Sequence, residues 1–533
     1  MILANYDVSG IQEYIFQSRR MKENIGASRI VGDVLKVHLP DILKQQYPDD
    51  AGQRVICNWS EQPFSLLANQ AVMIEVIYVG GGNAFVAFRD VDDFHAVNEQ
   101  LAKRLLERSR TLYLAVAAVE SNGQSFIEDK QRLVRSMAKV KAQMLRPQPP
   151  GAFPVSEQEN QSGLPITDFS EGVKQNVSRL QWLKLEAIPK GNAQEIVPFP
   201  SNVVGYKNWT LELDHMIQGR DTDSFIAIIH IDGNGMGEQL KQKEKEIKRK
   251  NLPYSGEVQA MRRLSEQISS GYSEVFEQAT ISLMEAQHSE SGSPKSHYLP
   301  MRPLIMDGDD LTIVCLGAWG VPFAARMLEE LEEASRDVPN DGISLSACAG
   351  VALMHSHFPF NLGYEVAEAC CKRAKRKRAD EGGSHAYLDF EIVRDSIPQN
   401  SNREQLQAGP YRISFGAENS LAQMASSREQ CLDDFSILAK CIARIAESKW
   451  PNWRLEKLYS ALLGNSEQLR FYLQECRSRG YEVDMLLPID EVGCLDNKQQ
   501  DIPIDVRKLL LDALELYQMF DQKVWTCGKG GAE

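Results

Sequence analysis

Three aspartates stand out by what surrounds them. Asp232 closes SFIAIIHID (224–232), an apolar run suited to a buried central strand, and GNGMG follows at once. Asp309 and Asp310 lie in DGDD (307–310), between PLIM (303–306) and LTIVCL (311–316), two β-rich runs that predict a hairpin. In a β-α-β-β-α-β sheet the end of the first strand meets that hairpin turn, so the three carboxylates would cluster. Clustered carboxylates repel unless a cation neutralises them, and an all-oxygen set suits Mg²⁺ or Mn²⁺, which keeps water and phosphate as its other ligands. Two such ions about 3.5 to 4 Å apart would activate an attacking hydroxyl and stabilise a leaving pyrophosphate, which is nucleotidyl transfer. Gly233, Gly235 and Gly237 follow Asp232 directly, and glycines there would let backbone N–H groups approach phosphate oxygens where a helix opens near Glu238.

The elements that must position these residues can be read along the chain. A strand at 2–6, a helix from Ser9 with that serine as its N-cap, and a helix over 27–45 open it. AVMIEVIYV (71–79) and NAFVAF (83–88), joined by Gly80, Gly81 and Gly82, predict a hairpin, and helix 92–108, strand 112–119 and helix 125–145 follow. From 146 to about 214 the text turns to Pro, Gly, Gln and Ser, as expected of a linker with a small connecting module. The second regular block runs from strand 224–232 through helices at 238–250 and 257–286, the DGDD hairpin, helix 321–335, strand 343–353, helix 363–379 and a strand near 387–390. Both blocks have the order β-α-β-β-α-β, the ferredoxin-like pattern, although no residue-by-residue repeat joins them. The segment after about 415 carries amphipathic stretches such as VRKLLLDALELYQMF and predicts helices. The expected fold class is α+β, with two ferredoxin-like domains at 1–145 and 217–400, a connecting module at 146–216 and an all-helical domain at 401–533.

A chain of 533 residues is too long for one ordinary core, and 25% charged with 43% hydrophobic residues is a globular composition. The formal net charge of −14 excludes a broadly basic coat for nucleic acid. One basic run, Lys372, Arg373, Lys375, Arg376, Lys377 and Arg378, is read equally well as a solvated helix face and as a local nucleic-acid contact. The ten cysteines show no CxxC spacing, His230 alternates with Asp232 as a core histidine would, and His297, His355 and His357 show no metal-site spacing. With no leader and no apolar run long enough for a membrane span, the expected location is the cytoplasm, with free thiols.

DVSGIQEYIF, NIGASRIV, GGGNAFVAF, IHIDGNGMG and IMDGDDLTIV, in this order, resemble the CRISPR polymerase family, the large palm-domain subunit of type III CRISPR effector complexes. The family's turn is Gly-Gly-Asp-Asp, whereas this chain has Asp307 first. The resemblance implies that Asp232, Asp309 and Asp310 hold two metal ions. It also implies that Gly233, Asn234, Gly235, Gly237 and Gly308 bind nucleotide, and that Lys375 contacts the triphosphate. Asp7, Ser9, Gly81, Gly82 and Asn83 would form a second nucleotide pocket, in a first palm without a carboxylate pair. The chain has no adjacent His-Asp pair and no cysteine between 120 and 216, so it is expected to be a short member without the family's nuclease domain or zinc ribbon.

What the resemblance adds is a product class: cyclic oligonucleotide or cyclic dinucleotide messengers made from nucleoside triphosphates, ATP foremost, in antiviral defence. Two other readings stand beside it. One is a scaffold subunit that holds guide and target RNA and the small or backbone subunits of a CRISPR complex. The other is a diguanylate-cyclase-like enzyme, which would act as a homodimer.

Overall fold

The computed structural model describes residues 1–145, 151, 153–160, 162–200, 205–216, 224–291, 297–336, 342–383, 385–394, 408–414, 432–488 and 502–526. The domain limits expected at 146, 217 and 400 border residues outside those described. The fold is mixed α+β, with two larger sheets.

The first sheet is assembled from β1 (Ile2–Ser9), β2 (Val55–Ile56), β3 (Ile74–Gly80), β4 (Asn83–Phe88) and β5 (Tyr113–Glu120), in the order β2-β3-β4-β1-β5. Between β1 and β2 come α1 (Ile11–Phe16), α2 (Met21–Asp33), α3 (Leu39–Gln45) and α4 (Ala51–Arg54), while α5 (Val91–Ser109) and α6 (Phe126–Gln143) flank β5. β1 is central and antiparallel to both β4 and β5. Asp90 and Ser125 cap α5 and α6 with their side chains, which fixes where each helix leaves its strand. Ser9 does not cap α1, because β1 runs on through it; Gly10 holds the N-cap position at φ +74°, a left-handed conformation that favours glycine.

The segment expected to be largely linker carries a β6 (Ile166–Ser170) and β7 (Gln175–Ser178) hairpin, then α7 (Arg179–Glu186), which opens on a Ser178/Gln181 capping box. Gly26 of α2 lies so close to the Lys184 backbone that an added Cβ would sit 1.6 Å from its carbonyl oxygen. The glycine of NIGASRIV is therefore a packing requirement, and it draws the connecting segment onto the first sheet. A short β8 (Asn208–Trp209) ends this part.

The second sheet has β9 (Phe225–Gly233) at its centre, followed by α8 (Met236–Arg249) and the long α9 (Tyr254–Ser291). After a short β10 (Tyr298–Leu299), paired with β8, come β11 (Met301–Asp307), β12 (Asp310–Leu316), α10 (Gly317–Arg336), β13 (Ala347–His355), α11 (Phe360–Asp380) and β14 (Ala386–Val393). The order is β11-β12-β9-β13-β14-β15, so the apolar text of β9 is explained by partners on both sides and helices across its face. β15 (Tyr411–Ile413) is a strand inside the segment expected to be wholly helical. Its sequence, YRI, is too short to show alternation. Among the described residues five α-helices follow it, at 435–447, 452–463, 466–478, 504–516 and 522–526. Among the described residues no helix is long and apolar enough to cross a membrane.

The two sheets are joined by α9. Its Arg262, buried with Glu75 of β3 at 3.1 Å, also donates to the Ile77 and Val76 carbonyls at 2.6 and 2.9 Å. A charge pair buried this deeply is tolerable because the guanidinium is saturated by several acceptors. Ser28 of NIGASRIV donates to the Leu304 carbonyl, beside the irregularity in β11 between Pro303 and Ile305.

Candidate functional site at the seam of two hairpin turns

The register of the second sheet brings the predicted carboxylates together. Asp232 is opposite Asp310, the first residue of β12, and opposite Cys348 of β13. Gly308, at φ +64°, and Asp309 make the turn between Asp307 and Asp310. Asp309 folds back over Gly233, whose missing side chain makes the room: an added Cβ would stand 2.6 Å from Asp309 Oδ2 and 3.0 Å from the Tyr272 hydroxyl. Gly233 is thus required by the neighbouring carboxylate.

The electrostatics follow from this crowding. Burial pushes the Asp310 carboxyl up to about 7; the Gln12 side chain opposes the rise, and Asp232, Asp307 and Asp309 add to it. Asp309 is raised as well, first by burial and then by Asp232, with its own backbone N–H opposing. Gln12 Nε2 donates to Asp310 Oδ2 at 3.1 Å, but Oδ1 is buried without a hydrogen-bond partner. His230 Nδ1, 3.5 Å from that oxygen, belongs to a ring that burial holds neutral, with its pKa pushed down to about 4.

Lys375, on α11, reaches Asp232 Oδ2 at 2.5 Å and donates to the Gly233 carbonyl at 2.8 Å. Most of its basic neighbours are likewise spent on ion pairs: Lys372 with Glu368, Arg373 with Asp389 and Glu391, and Lys377 with Glu381 and Asp433. The run is therefore mixed: Arg373, Lys375 and Lys377 are tied to carboxylates of other elements, while Lys372 and Arg376 are exposed. In the glycine loop, Gly235 at φ +61° is the N-cap of α8, and an added Cβ at Gly237 would meet open space. Asn234 points inward, its amide donating to Ser346 Oγ at 2.9 Å.

The first sheet repeats this plan with other side chains. Asp7 is opposite Asn83, the first residue of β4, just as Asp232 is opposite the first residue of β12. Lys141 of α6 binds Asp7 at 2.7 Å, and Ser9 Oγ donates to the same carboxylate at 2.8 Å. Lys141 and Lys375 each stand fifteen residues past the first residue, Phe126 or Phe360, of the helix that follows β5 or β13. Lys141, like Gln12, is a member of the site that the sequence reading missed. The matching signal was there, as a Phe-initiated helix with lysine at a fixed distance, but it emerges only once the strands are in register.

The two turns face one another. An added Cβ at Gly82, φ +69°, would stand 3.5 Å from Asp307 Oδ2, and one at Gly308 would stand 3.8 Å from the Gly81 Cα. Burial raises the Asp307 carboxyl, while Lys36 and the backbone N–H groups of Gly81 and Gly82 draw it down. A small apolar cavity of about 60 Å³ lies at the seam, lined in part by Val8, Ile11, Leu35, Ile305 and Asp307.

A hard divalent cation suits the donors available here, which are all carboxylate oxygens, and the buried, unbonded Asp310 Oδ1 is the kind of atom such an ion satisfies. Among the described residues no group of three His, Cys, Asp or Glu is arranged to hold a metal ion. Asp232 is held by Lys375, and Asp310 by Gln12.

No protein-family model matches the chain, and none of the curated proteins does. Similar solved structures include a Csm1-Csm4 cassette in complex with cA4, at 13% identity and a TM-score of 0.43 over 96% of this chain and 70% of that chain. A Csm1-Csm4 subcomplex of the type III-A CRISPR-Csm interference complex is similar at 12% identity and a TM-score of 0.41, over 96% and 70%. A Csm1-Csm4 cassette in complex with AMPPNP gives 14% and 0.39, over 96% and 69%.

Proposed function

We propose that this chain is a metal-dependent nucleotidyltransferase that joins nucleoside triphosphates, ATP foremost, with release of pyrophosphate. In this reading the two β-α-β-β-α-β sheets are a pair of ferredoxin-like palms, the second catalytic and the first a nucleotide pocket. The observation that carries it is the pairing of Asp232 with Asp310 at one turn, with Asp309 beside them and Lys375 on Asp232.

Asp232, Asp309 and Asp310 would hold Mg²⁺ or Mn²⁺, which when bound supplies charge neutralisation and polarises the phosphates. The protein's own part begins with Lys375, which exchanges Asp232 for a phosphate oxygen when nucleotide arrives, so that Asp232 becomes available as a ligand. The N-terminus of α8, opening at Gly235, faces the same phosphates with the positive end of its dipole. Across the seam, Lys141 and Ser9, with the backbone of Gly81 and Gly82, hold the second nucleotide. The turn there ends in Asn83 and carries no carboxylate, so that nucleotide is placed rather than activated. The resemblance of the motifs supplies the product class, cyclic oligonucleotide or cyclic dinucleotide messengers, and with it the CRISPR subunit partners.

Incubation of the purified protein with Mg²⁺ or Mn²⁺ and each triphosphate, with products resolved by mass spectrometry, tests this directly. Linked nucleotides and pyrophosphate that disappear in Asp309→Ala are expected. No product from any mixture, with Asp309→Ala indistinguishable from the parent, overturns the proposal.

A further inference from the structure

α1 is only six residues long, yet it reaches the second sheet at two points. Gly10 turns the chain out of β1 in a left-handed conformation, and Tyr14, Ile15 and Phe16 are buried, so the helix is anchored on one side. Gln12 and Phe16, four residues apart, share a helical face. Gln12 Nε2 donates to Asp310 Oδ2 at 3.1 Å. Phe16 stacks on Tyr364 of α11 at 4.0 Å between ring centroids, and Tyr364 meets the His230 ring edge-on at 5.6 Å. His230 Nδ1 in turn lies 3.5 Å from Asp310 Oδ1. One short helix of the first block therefore bears on both carboxylate oxygens, directly on one and through the Tyr364 and His230 rings on the other.

We infer that Gln12 is a positioning residue for the chemistry of the second turn, an amide extended across the seam that fixes the orientation of Asp310. The inference rests on the proposed metal site and deepens it, because it makes that site incomplete without the first block. The physical reason is geometric. A carboxylate free to rotate presents either oxygen at random; with Oδ2 held by the amide, the buried Oδ1 is left unbonded and its lone pairs remain available to a cation. Partners that orient a ligand from behind change metal affinity or activity by about 10- to 100-fold when removed.

The test is a Mn²⁺ titration of the purified full chain, read by electron paramagnetic resonance, on the parent, Gln12→Met, Gln12→Ala and Asp310→Asn. Methionine keeps the length and removes the donor, and alanine is a second variant should methionine disturb the seam. Thermal melting checks that each is folded. Mn²⁺ affinity is expected to fall about 10- to 100-fold in both Gln12 variants, with melting unchanged. Turnover of ATP should fall with it and return at excess Mn²⁺, a rescue that a general packing defect would not show. If Asp310→Asn binds Mn²⁺ as the parent does, the metal-site reading itself fails. If Asp310→Asn loses affinity and both Gln12 variants keep it, the role of Gln12 is overturned.

Discussion

Asp7 and Asp232 occupy matching places in the four-strand runs β3-β4-β1-β5 and β11-β12-β9-β13, and each is held by a lysine from the helix that follows the last of those strands, β5 or β13. What differs is the opposing turn. In the first sheet it reads Gly80, Gly81, Gly82, Asn83, and in the second Asp307, Gly308, Asp309, Asp310. One lysine-neutralised carboxylate is a stable structural pair. Adding two more carboxylates at the same strand end creates a charge that the lysine alone cannot balance; burial pushes Asp310 up to about 7, and Asp232, Asp307 and Asp309 add to the rise. Under the proposed function, a shared scaffold becomes chemical or merely binding according to how many charges its turn carries.

The largest expected effect comes from removing that charge. Asp309→Ala and Asp310→Ala should each lower pyrophosphate release from triphosphates by about 10²- to 10³-fold, as loss of a few kcal/mol of metal-mediated stabilisation implies. Asp7→Ala should instead raise KM and spare more of kcat. Equal loss of kcat at both aspartates would erase the distinction between the turns.

Gly233→Ala ranks next. Its Cβ has no room beside Asp309, whereas Gly81→Ala meets open space and strains only a φ of +59°. Gly233→Ala is expected to approach Asp309→Ala in activity, and Gly81→Ala to cost about 1 to 2 kcal/mol of stability, read by denaturant unfolding. The lysines give a finer contrast: Lys375→Ala should lower both kcat and triphosphate affinity, and Lys141→Ala affinity for the second nucleotide alone, as resolved in product-versus-concentration curves.

The smallest effect concerns how the sheets end. The first ends at β5, while the second continues through β14 and β15 to the C-terminal helices, where Tyr411 donates to Asp512 at 2.7 Å. Burial pushes Asp512 up to about 7 from an ordinary 3.8, so between about pH 4 and 7 the unfolded chain releases a proton that the folded chain keeps. Stability should therefore fall as pH rises across that window, by at most about 1.4 kcal/mol per unit. Asp512→Asn should flatten this slope and melt higher than the parent at pH 8.

Much of this was legible in the text. The apolar run ending in Asp232 and the DGDD turn showed their strands because a central strand and a tight hairpin each leave a local signature. Three things were not legible. Ser9 read as a helix cap because its type suits that role, but β1 extends through it and Gly10 takes the turn. The basic run on α11 read as solvent-facing or nucleic-acid-facing because its partners, Asp232, Asp389 and Asp433, lie far away in sequence. Lys141 and Gln12 escaped notice because their roles depend on contacts 134 and 298 residues distant.

The central claim is that metal chemistry belongs to the second turn and not the first. Diffraction from crystals soaked with Mn²⁺ and a non-hydrolysable triphosphate, with the manganese located by anomalous scattering, tests it most directly. The account predicts manganese about 2.0 to 2.3 Å from oxygens of Asp232, Asp309 and Asp310, with Lys375 turned from Asp232 toward phosphate. Manganese bound at Asp7 and Asn83, or triphosphate seated at the second turn with none beside it, would contradict it.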